Sequence, residues 1–440
     1  MKAINMIIKG MAFLAVLCQS AQIFAATISG VAARQRWPWN NLVDVDFTIS
    51  GNTGDPYAID ISATCNDGAM MLTAKTFASE PVAAAGAQSR VTWDLGADYP
   101  DLKADDFIVT VTATPLKDST PVYMVVDLSK GADASSYPVR YTTTAPTTVA
   151  GEPNPCKTTE LWLRRIKAGT VKMGGGSACD VQAGYKTHTV TLTDDFYIGI
   201  FPLTYAQYQN IGQGVSPTRS LMHFTNETCI ATRPLDSVTF PCLRDSAYLC
   251  PQDPSIHDSR SILGRLRART GLDFDLPTEW QWEYAIRAGK FVGGNGDRYS
   301  GATYRTRKTP SSTYEYYSQE RMWNTQYGTT YVDAGRPNDW GIYLVYGNVW
   351  EWCINLGMTI TQNESYTAPL GNAADGSNPN RVTKGCSQTW GNLGDYSGAY
   401  VSSGTRVGMN TANVNETVSW ISSTAYYQGL GARIILQIRK

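Results

Sequence analysis

Residues 338–352 of the chain read Asn338-Asp339-Trp340-Gly341-Ile342-Tyr343-Leu344-Val345-Tyr346-Gly347-Asn348-Val349-Trp350-Glu351-Trp352. This run has neither the period of an amphipathic helix nor the alternation of a strand. Glycines this close to large aromatic rings indicate backbone bends that bury the rings against one another. A buried Glu351 would need a cation or hydrogen-bond donors, because an unpaired carboxylate is costly to bury. The stretch therefore predicts a fixed, partly polar loop in a protein core.

The segment from Gly341 to Trp352 resembles Gly-Leu-Tyr-Asp-Met-x-Gly-Asn-Val-Trp-Glu-Trp, the signature of the formylglycine-generating enzyme family, also called the sulfatase-modifying factor family. Other segments match in the family's order: Asp195–Gly199, Arg233–Val238, Leu276–Ala285 and Gly429–Arg433. The resemblance covers roughly residues 156 to 440. It implies an α+β domain with a C-type-lectin-like fold and little regular structure.

The chain begins with features of a secretory signal peptide over residues 1–25. Lys2 and Lys9 precede the apolar run Met11–Leu17, and the small residue Ala25 stands where cleavage would fall. The apolar run is too short to span a bilayer, which disfavours the alternative of a membrane anchor. We therefore expect an exported chain, periplasmic, cell-surface or secreted, with no membrane insertion after signal cleavage.

Length and charge limit the classes of partner. A chain of 440 residues is long enough for two or three domains. Its formal net charge is only -1, so it offers no large one-sided field to attract nucleic acid or a membrane surface.

Residues 26–141 are predicted to form an antiparallel, immunoglobulin-like β-sandwich. The signal is a series of short β-rich runs separated by turn residues: Val43–Ile49, Tyr57–Ile61, Val91–Asp94, Phe107–Thr112 and Val122–Asp127. Ahead of them, the cluster Arg34–Trp39 has two interpretations. It could bind a sugar or peptide by stacking, or it could be a tryptophan corner with a stacked arginine, which we favour.

Residues 142–155 contain three prolines and almost no bulky apolar side chain, which predicts an extended linker. The second domain would then span residues 156–440. Its helix signals are a capping Thr204, a helix over Ser261–Thr270 stopped by Gly271, and a capping box at Thr278 that starts a helix ending near Gly289.

Two carboxylates on the last of these helices lie four residues apart and so share one side. Glu279 and Glu283 could form a carboxylate pair or contact a metal ion. We favour an ion pair between Glu283 and Arg287, because nothing else nearby in the sequence supplies metal ligands.

In active members of the family, two cysteines bind copper(I) and oxidise a cysteine of an unfolded sulfatase segment. The resemblance places them roughly three and eight residues after the serine of an Arg-Gly-Gly-Ser motif. That motif appears here as Lys384-Gly385-Cys386-Ser387, and the two positions hold Trp390 and Asp395. The expected copper ligands are therefore missing, and copper is not expected.

Other cysteines leave an alternative open. Cys386 and Cys353 could form a displaced pair, or they could be a structural disulfide or two buried thiols, which we favour. Eight cysteines follow the signal segment, an even number that permits disulfides in an exported protein: Cys65, Cys156, Cys179, Cys229, Cys242, Cys250, Cys353 and Cys386. A zinc site is disfavoured because the chain has no Cys-x-x-Cys.

The family also binds metals other than copper. One branch holds iron with three histidines, but the only histidines here, His188, His223 and His257, are far apart in the sequence. Structural calcium is the other case. The resemblance places its ligands at the carbonyls of Gly347 and Val349, the side chain of Glu351 and, in a second site, Asn324. However, Leu344 stands where one oxygen ligand is usual, and Glu351 could instead accept backbone donors.

Two functions follow as hypotheses. The first is a catalytically degenerate binding module whose pocket, near Trp350, Ser387 and Trp390, holds a peptide or glycan, with a sulfatase among the candidate partners. The alternative is an active formylglycine-generating oxidase that uses Cys386 and Cys353 in new positions.

Overall fold

The structure of the chain is a computed structural model, which describes the following residues: 26–36, 40–116, 121–174, 187–212, 231–236, 238, 240–244, 261–291, 305–308, 314–317, 321–322, 329, 331–333, 337–343, 346–356, 363–368, 381–385, 406–409 and 430–438. The predicted signal peptide lies outside them. The chain divides into two compact units, one of residues Met1–Val125 and Val139–Ala145 and the other of Val126–Pro138 and Pro146–Lys440. No helix in the described part of the chain is long and apolar enough to cross a membrane.

The first unit is built almost entirely from strands. In chain order, and including one strand that continues into the second unit, the elements are β1 (Ile28–Gln35), β2 (Leu42–Ile49), β3 (Pro56–Cys65), β4 (Met70–Thr73), β5 (Thr76–Phe77), β6 (Val82–Ala84), β7 (Gln88–Asp94), α1 (Leu95–Asp98), β8 (Ile108–Pro115), β9 (Tyr123–Asp127) and β10 (Val139–Thr142).

Two antiparallel sheets enclose the core of this unit. One has the order β1-β2-β7-β5-β10, and in the other β3 pairs with β4, β6 and β8. Side chains alternate along each strand, so that every second residue points inward. The inward residues of both sheets form one buried cluster that includes Val45, Phe47, Ile59, Ile61, Phe77, Val91 and Trp93. The predicted antiparallel sandwich is confirmed, and all five predicted strands are present.

The arginines of the Arg34–Trp39 cluster lie on the outer face of the first sheet. Arg36 reaches over β2, where its Nη2 lies 2.6 Å from Asp44 Oδ1 and 2.7 Å from Thr92 Oγ1. Burial raises the pKa of the Asp44 carboxyl, but the bonds from Arg36 and Thr92 outweigh this and lower it. The tryptophans of the cluster, Trp37 and Trp39, lie outside the described residues, so both interpretations of the cluster remain predictions.

The elements of the second unit are shorter. They are a 3-10 turn (Pro155–Lys157), β11 (Glu160–Ile166), β12 (Gly169–Met173), β13 (His188–Leu192), β14 (Phe196–Gly199), α2 (Tyr205–Gly212), α3 (Phe240–Leu243), α4 (Ile262–Thr270), β15 (Phe274–Asp275), α5 (Glu279–Ile286), β16 (Arg305–Lys308), β17 (Tyr314–Tyr317), β18 (Arg321–Met322), β19 (Tyr346–Gly347), β20 (Trp350–Leu356), β21 (Ser365–Ala368), β22 (Arg381–Lys384), β23 (Arg406–Met409), β24 (Leu430–Gly431) and β25 (Ile435–Gln437).

Several small sheets surround α5 in this unit. The described strands pair in the orders β11-β14-β25-β15, β12-β13-β21 and β23-β22-β20-β24, with two further two-stranded pairs. Side chains of α5 pack with strand residues in one buried cluster that includes Trp280, Trp282, Ala285, Ile198, Trp350 and Val382. Mixed small sheets and short helices make this an α+β domain, as predicted.

The predicted helix caps are present. Thr204 accepts a hydrogen bond from Gln207 N at 3.1 Å at the start of α2. Ser261 caps α4, which ends at Gly271 in a left-handed conformation with φ 71°. Thr278 forms the full capping box with Gln281, although α5 ends at Ile286, three residues short of Gly289.

The segment Val126–Pro138 belongs to the second unit, although it lies before the predicted boundary. Tyr137 is buried, and its hydroxyl accepts from Arg269 Nη1 at 2.7 Å and donates to the carbonyl of Asn210 at 2.8 Å. The helical spacing of Arg265, Arg267 and Arg269 predicts a solvated face of α4, but Arg269 also donates to the carbonyls of Ile211 and Ala132 and so fastens this segment.

The C-terminal part of the predicted linker is also fixed by hydrogen bonds. Gly151 N donates to Asp333 Oδ1 at 3.1 Å, and the hydroxyl of Thr148 donates to Oδ2. Lys157 Nζ lies 2.5 Å from the same Oδ2 and 2.8 Å from the carbonyl of Val149. Lys157 and Asp333 are both buried, so the pair is shielded from solvent. Residues 148–157 are therefore part of the second unit rather than an extended spacer.

Two of the eight cysteines that follow the predicted signal segment are unpaired thiols. Cys65 and Cys156 are both buried and form no disulfide. Burial raises the pKa of Cys156 to about 11, so the thiol stays protonated at neutral pH.

Tyr137→Phe should weaken the second unit. The change removes the bonds of the hydroxyl to Arg269 Nη1 and to the carbonyls of Asn210 and Gly131, and it leaves a half-buried guanidinium with one acceptor fewer, at a cost of about 1–3 kcal/mol. Urea unfolding of the full chain, followed by circular dichroism, measures the loss. The contrast is Tyr99→Phe, which removes a 2.8 Å bond from Thr73 N in the first unit. If Tyr137→Phe weakened the same transition as Tyr99→Phe, our assignment of residues 126–138 would be wrong.

Candidate functional site

The predicted core loop is held by Asn338. Its Oδ1 accepts from Trp340 N and Ile342 N, both at 3.0 Å, and thereby fixes the bend. Its Nδ2 donates to the carbonyls of Ala285 and Ile286 at 2.9 and 3.0 Å, where α5 ends. One amide thus caps the helix and shapes the loop, and the prediction of a fixed, partly polar core loop is confirmed for residues 338–343. It is wrong for Tyr346–Gly347 and Trp350–Trp352, which are strand because they pair with neighbouring strands.

Glu351 lies at the centre of the second unit. Its Oε2 accepts from Trp282 Nε1 at 2.6 Å and from Arg433 Nε at 2.9 Å, and its Oε1 accepts from Arg433 Nη2 at 2.9 Å. Arg433 donates further to the carbonyls of Gly199 and Tyr343, both at 3.0 Å. Side-chain exposure is 0% for Arg433 and 2% for Glu351, so this bidentate pair is fully dry.

This arrangement does not fit calcium at Glu351. Three donors already occupy the carboxylate, and a dication on it would lie against the guanidinium of Arg433. Glu351 accepts from side chains, and not from the backbone donors that were the alternative drawn from the sequence. The carbonyls of Gly347 and Val349 remain predicted ligands, while Asn324 and Leu344 lie outside the described residues. Within the described part of the chain, no group of three or more His, Cys, Asp or Glu side chains could hold a metal ion.

A second buried carboxylate, Glu283, lies one turn beyond Glu279 on α5. Arg287 Nε contacts its Oε1 at 2.7 Å, which confirms the predicted ion pair. Lys384 Nζ contacts Oε2 at 2.8 Å, and Gly174 N donates to Oε1 at 2.9 Å. Burial alone would raise the pKa of Glu283, but Lys384 and Arg287 outweigh it and bring the pKa down to about 2. Glu279 instead exchanges two 2.8 Å hydrogen bonds with Asn355, so the two carboxylates do not form a joint site.

The predicted catalytic and pocket residues are only partly within the described structure. Cys353 is fully buried, and its sulfur lies 3.9 Å from the carbonyl oxygen of Glu351. Trp350 is 2% exposed, so its ring belongs to the core and does not line an open pocket. Cys386, Ser387, Trp390 and Asp395 lie outside the described residues, as do His223 and His257. His188 packs edge-on against Tyr366, with ring centroids 5.6 Å apart.

Sequence reasoning missed Arg433 and Lys384 as the partners of the two buried carboxylates. Both could have been identified as buried cations, because each basic residue stands beside apolar residues or glycine in a segment whose composition is typical of a core. Arg433 is followed by Ile434, Ile435 and Leu436, and Lys384 follows Val382. What the sequence lacks is any indication of which carboxylate each cation meets.

Glu351→Gln should destabilise the chain strongly. It leaves the buried Arg433 without its counter-charge, a change that costs about 3–5 kcal/mol. Chemical denaturation measures this, with Glu364→Gln as the control because Glu364 is exposed. A calcium titration followed by melting temperature tests the metal. A rise of melting temperature with calcium that Glu351→Gln abolishes would restore Glu351 as a ligand.

Stability should fall in acid because of Glu283. Its pKa is lowered from 4.5 in the reference state to about 2 in the fold. The stabilisation is therefore complete above about pH 5 and is lost as the pH falls towards 2, with a full effect of about 3 kcal/mol. Denaturation midpoints between pH 2 and 7 measure the slope. Glu283→Gln should flatten it, and an unchanged slope in that variant would contradict this assignment.

Comparisons with known proteins bear on the identity of this second unit. Residues 150–413, more than half of the chain, match the family model of the sulfatase-modifying factor enzyme 1-like domain. The formylglycine-generating enzyme of Mus musculus is 41% identical over 85 residues, which is 18% of this chain. The match spans 21% of the mouse protein, about a fifth of its length.

Among solved structures, the Treponema denticola variable protein 1 is similar over 66% of this chain and 100% of its own length, at 20% identity and a TM-score of 0.43. The family assignment does not depend on that likeness. It follows from the family model together with the mouse relative, and the chain belongs to the formylglycine-generating enzyme, or sulfatase-modifying factor, family.

Proposed function

We propose that this chain is an exported, non-catalytic binding module built on the formylglycine-generating enzyme scaffold. The observation that carries the proposal is the loss of the copper-binding pair. The two positions where the family has cysteines hold Trp390 and Asp395. Copper(I) prefers soft thiolate ligands, and neither an indole nor a carboxylate replaces them.

The geometry of Cys353 supports the same proposal. An oxidase with displaced ligands would need a thiolate that copper and the substrate can reach. The side chain of Cys353 is fully buried in the same core cluster of the second unit as Trp350. A thiol in that position serves packing and does not meet a substrate sulfur.

The remaining scaffold is well suited to hold a fixed binding surface. Two dry ion-pair clusters, centred on Glu351 and Glu283, anchor the strands β20 and β22. Strand β22 leads in the chain directly to Cys386, Ser387 and Trp390. Rigid support behind a binding loop lowers the entropy cost of binding. The proposed ligand is a peptide or glycan that contacts Ser387 and Trp390, with a sulfatase segment as the first peptide to test.

The catalytic question is decided by a turnover assay. Purified mature chain is incubated with copper(I), oxygen, a thiol reductant and a peptide containing Cys-x-Pro-x-Arg, and mass spectrometry detects formylglycine. We expect no product, while an active formylglycine-generating enzyme run in parallel converts the peptide. Turnover that Cys386→Ser abolishes would establish the oxidase alternative and overturn the proposal.

The binding question needs a separate measurement. Fluorescence anisotropy with the same peptide, labelled and with its cysteine replaced by serine, reports binding without chemistry. We expect saturable binding that Trp390→Ala weakens about tenfold or more, because a central aromatic side chain often dominates an interface. Met71→Ala, an exposed residue of the first unit, is the control. If the peptide does not bind, a glycan array compares the same three proteins, the wild type, Trp390→Ala and the control variant.

A further inference from the structure

Strand β1 has a partner strand on one side only in the described part of the chain. It is the end strand of its sheet and pairs with β2. Arg36 N donates to the carbonyl of Leu42 at 2.8 Å, so these two residues form a hydrogen-bonded antiparallel pair. Such pairs recur at every second residue. Arg34, which lies opposite Asp44, therefore also directs its backbone groups towards β2.

Ala33 and Gln35 direct their backbone N–H and C=O groups to the other side, which we call the open edge of β1. They lie opposite Val45 and Val43, at positions where an antiparallel pair makes no ladder bond. Unpaired backbone groups on an edge strand are a template for pairing with another strand. The side chains beside the open edge then decide which strand is accepted.

The side chain of Arg34 is the least engaged cation of an arginine–aspartate ladder on the outer face of this sheet. Asp46 accepts from Arg90 Nε at 2.6 Å and from its Nη2 at 2.9 Å, and Asp44 accepts from Arg36 Nη2 at 2.6 Å. Arg34 approaches Asp46 only to 3.8 Å, which is too long for a hydrogen bond, and its side chain is 62% exposed. Three guanidinium groups thus share two carboxylates, and the unmatched positive charge lies on the strand that carries the open edge.

This charge disfavours a second copy of the same strand as the partner. Ala32, Arg34 and Arg36 share one face, because side chains alternate along a strand. If two copies of β1 paired so that Ala33 met Gln35, the two copies of Arg34 would lie directly opposite each other. Like charges at opposite positions are destabilising. The open edge therefore favours a strand with a negative charge opposite Arg34.

We propose that the open edge of β1 binds an extended, acidic segment of another protein by strand addition. The backbone of that segment pairs with Ala33 and Gln35. A carboxylate on it, opposite Arg34, accepts the hydrogen bonds that the two aspartates of β2 do not. Recognition uses backbone pairing and charge and needs no aromatic stacking. The inference concerns the first unit and does not depend on the function proposed for the second.

Strand β2 shows the side-chain pattern that β1 accepts. Asp44 and Asp46 pair with arginines on the outer face, while Val45 and Phe47 are fully buried in the core of the sandwich. An added strand would lie against the same two faces of β1, whose Ala33 packs into the core on the inner side. Its sequence should therefore alternate acidic and small apolar residues.

The probe is a fluorescently labelled acidic peptide, Thr-Val-Asp-Val-Asp-Val-Thr, and anisotropy with the full mature chain measures its binding. The counterpart is Thr-Val-Lys-Val-Lys-Val-Thr. We expect saturable binding of the acidic peptide and about tenfold weaker binding of the lysine peptide. Arg34→Glu should reverse this preference. Lys103→Glu, the same charge change at an exposed residue of the first unit, should keep it. A wild type that does not bind the acidic peptide, or an unchanged preference in Arg34→Glu, would overturn the proposal.

A second pair of variants tests the backbone of the open edge. Gln35→Pro removes the N–H that faces the open edge and leaves the ladder to β2 intact, since proline is tolerated on the outer side of an edge strand. Gln35→Ala keeps that N–H. We expect Gln35→Pro to weaken binding of the acidic peptide about tenfold and Gln35→Ala to bind within about twofold of the wild type. Equal binding by the two variants would contradict strand addition.

Hydrogen exchange read at single amides shows whether the edge is open before the peptide arrives. In the chain alone, the amides of Ala33 and Gln35 should exchange about tenfold faster than that of Arg34, and the acidic peptide should slow them. Amides already protected in the chain alone would mean that another segment covers the edge. Light scattering detects the other occupant. A dimer that Gln35→Pro dissociates would assign the edge to a second copy, and either result would overturn the proposal.

Discussion

A buried charge must meet an opposite charge, and the second unit is arranged around that requirement at Glu351. The carboxylate sits between an indole and a guanidinium, and all three groups are removed from water. The guanidinium of Arg433 then reaches the carbonyls of two further segments, at Gly199 and Tyr343. Four parts of the chain that are distant in sequence therefore meet at one ion pair. Removing one partner would leave an uncompensated charge in the core, which is strongly destabilising, so each partner depends on the presence of the other.

In the second unit, side chains form many of the hydrogen bonds to the backbone that helices and sheets form in other domains. The described helices of the second unit have at most nine residues, and its described strands from β11 onward have at most seven. Buried backbone groups in irregular segments still need partners. Asn338 supplies them for the core loop, Arg269 for the segment around Tyr137, and Asp333 for residues 148–151. Asn338 and Arg269 each bond to backbone groups from two segments, and Asp333 accepts from one backbone N–H and two side chains. These contacts hold segments that have no regular secondary structure.

The sequence predicted local structure well, because local signals depend on neighbouring residues. Short β-rich runs between turn residues revealed the five sandwich strands, and caps at Thr204 and Thr278 marked helix starts within one residue. The sheet partners and the strand β1 were not predicted, since its small residues Gly30, Ala32 and Ala33 carry no clear pattern. For the buried ion pairs, likewise, the local contact was predicted and the long-range contact was not. The pairing of Glu283 with Arg287, four residues away, was predicted, whereas its pairing with Lys384 across 101 residues was not. Nothing in a single sequence records contacts at that separation.

The placement of Val126–Pro138 has a consequence for how this architecture can be inherited. The chain leaves the first unit after Val125, returns at Val139 and leaves again after Ala145. The first unit is therefore not one continuous segment that could be exchanged at a single boundary. A gene fusion or recombination at the proline-rich stretch would carry Tyr137 away with the sandwich and remove the bonds of Arg269 to Tyr137 and Ala132. New amino-terminal modules could replace this one only by bringing a substitute for that thirteen-residue excursion, so the two parts are expected to have been transmitted as a single unit.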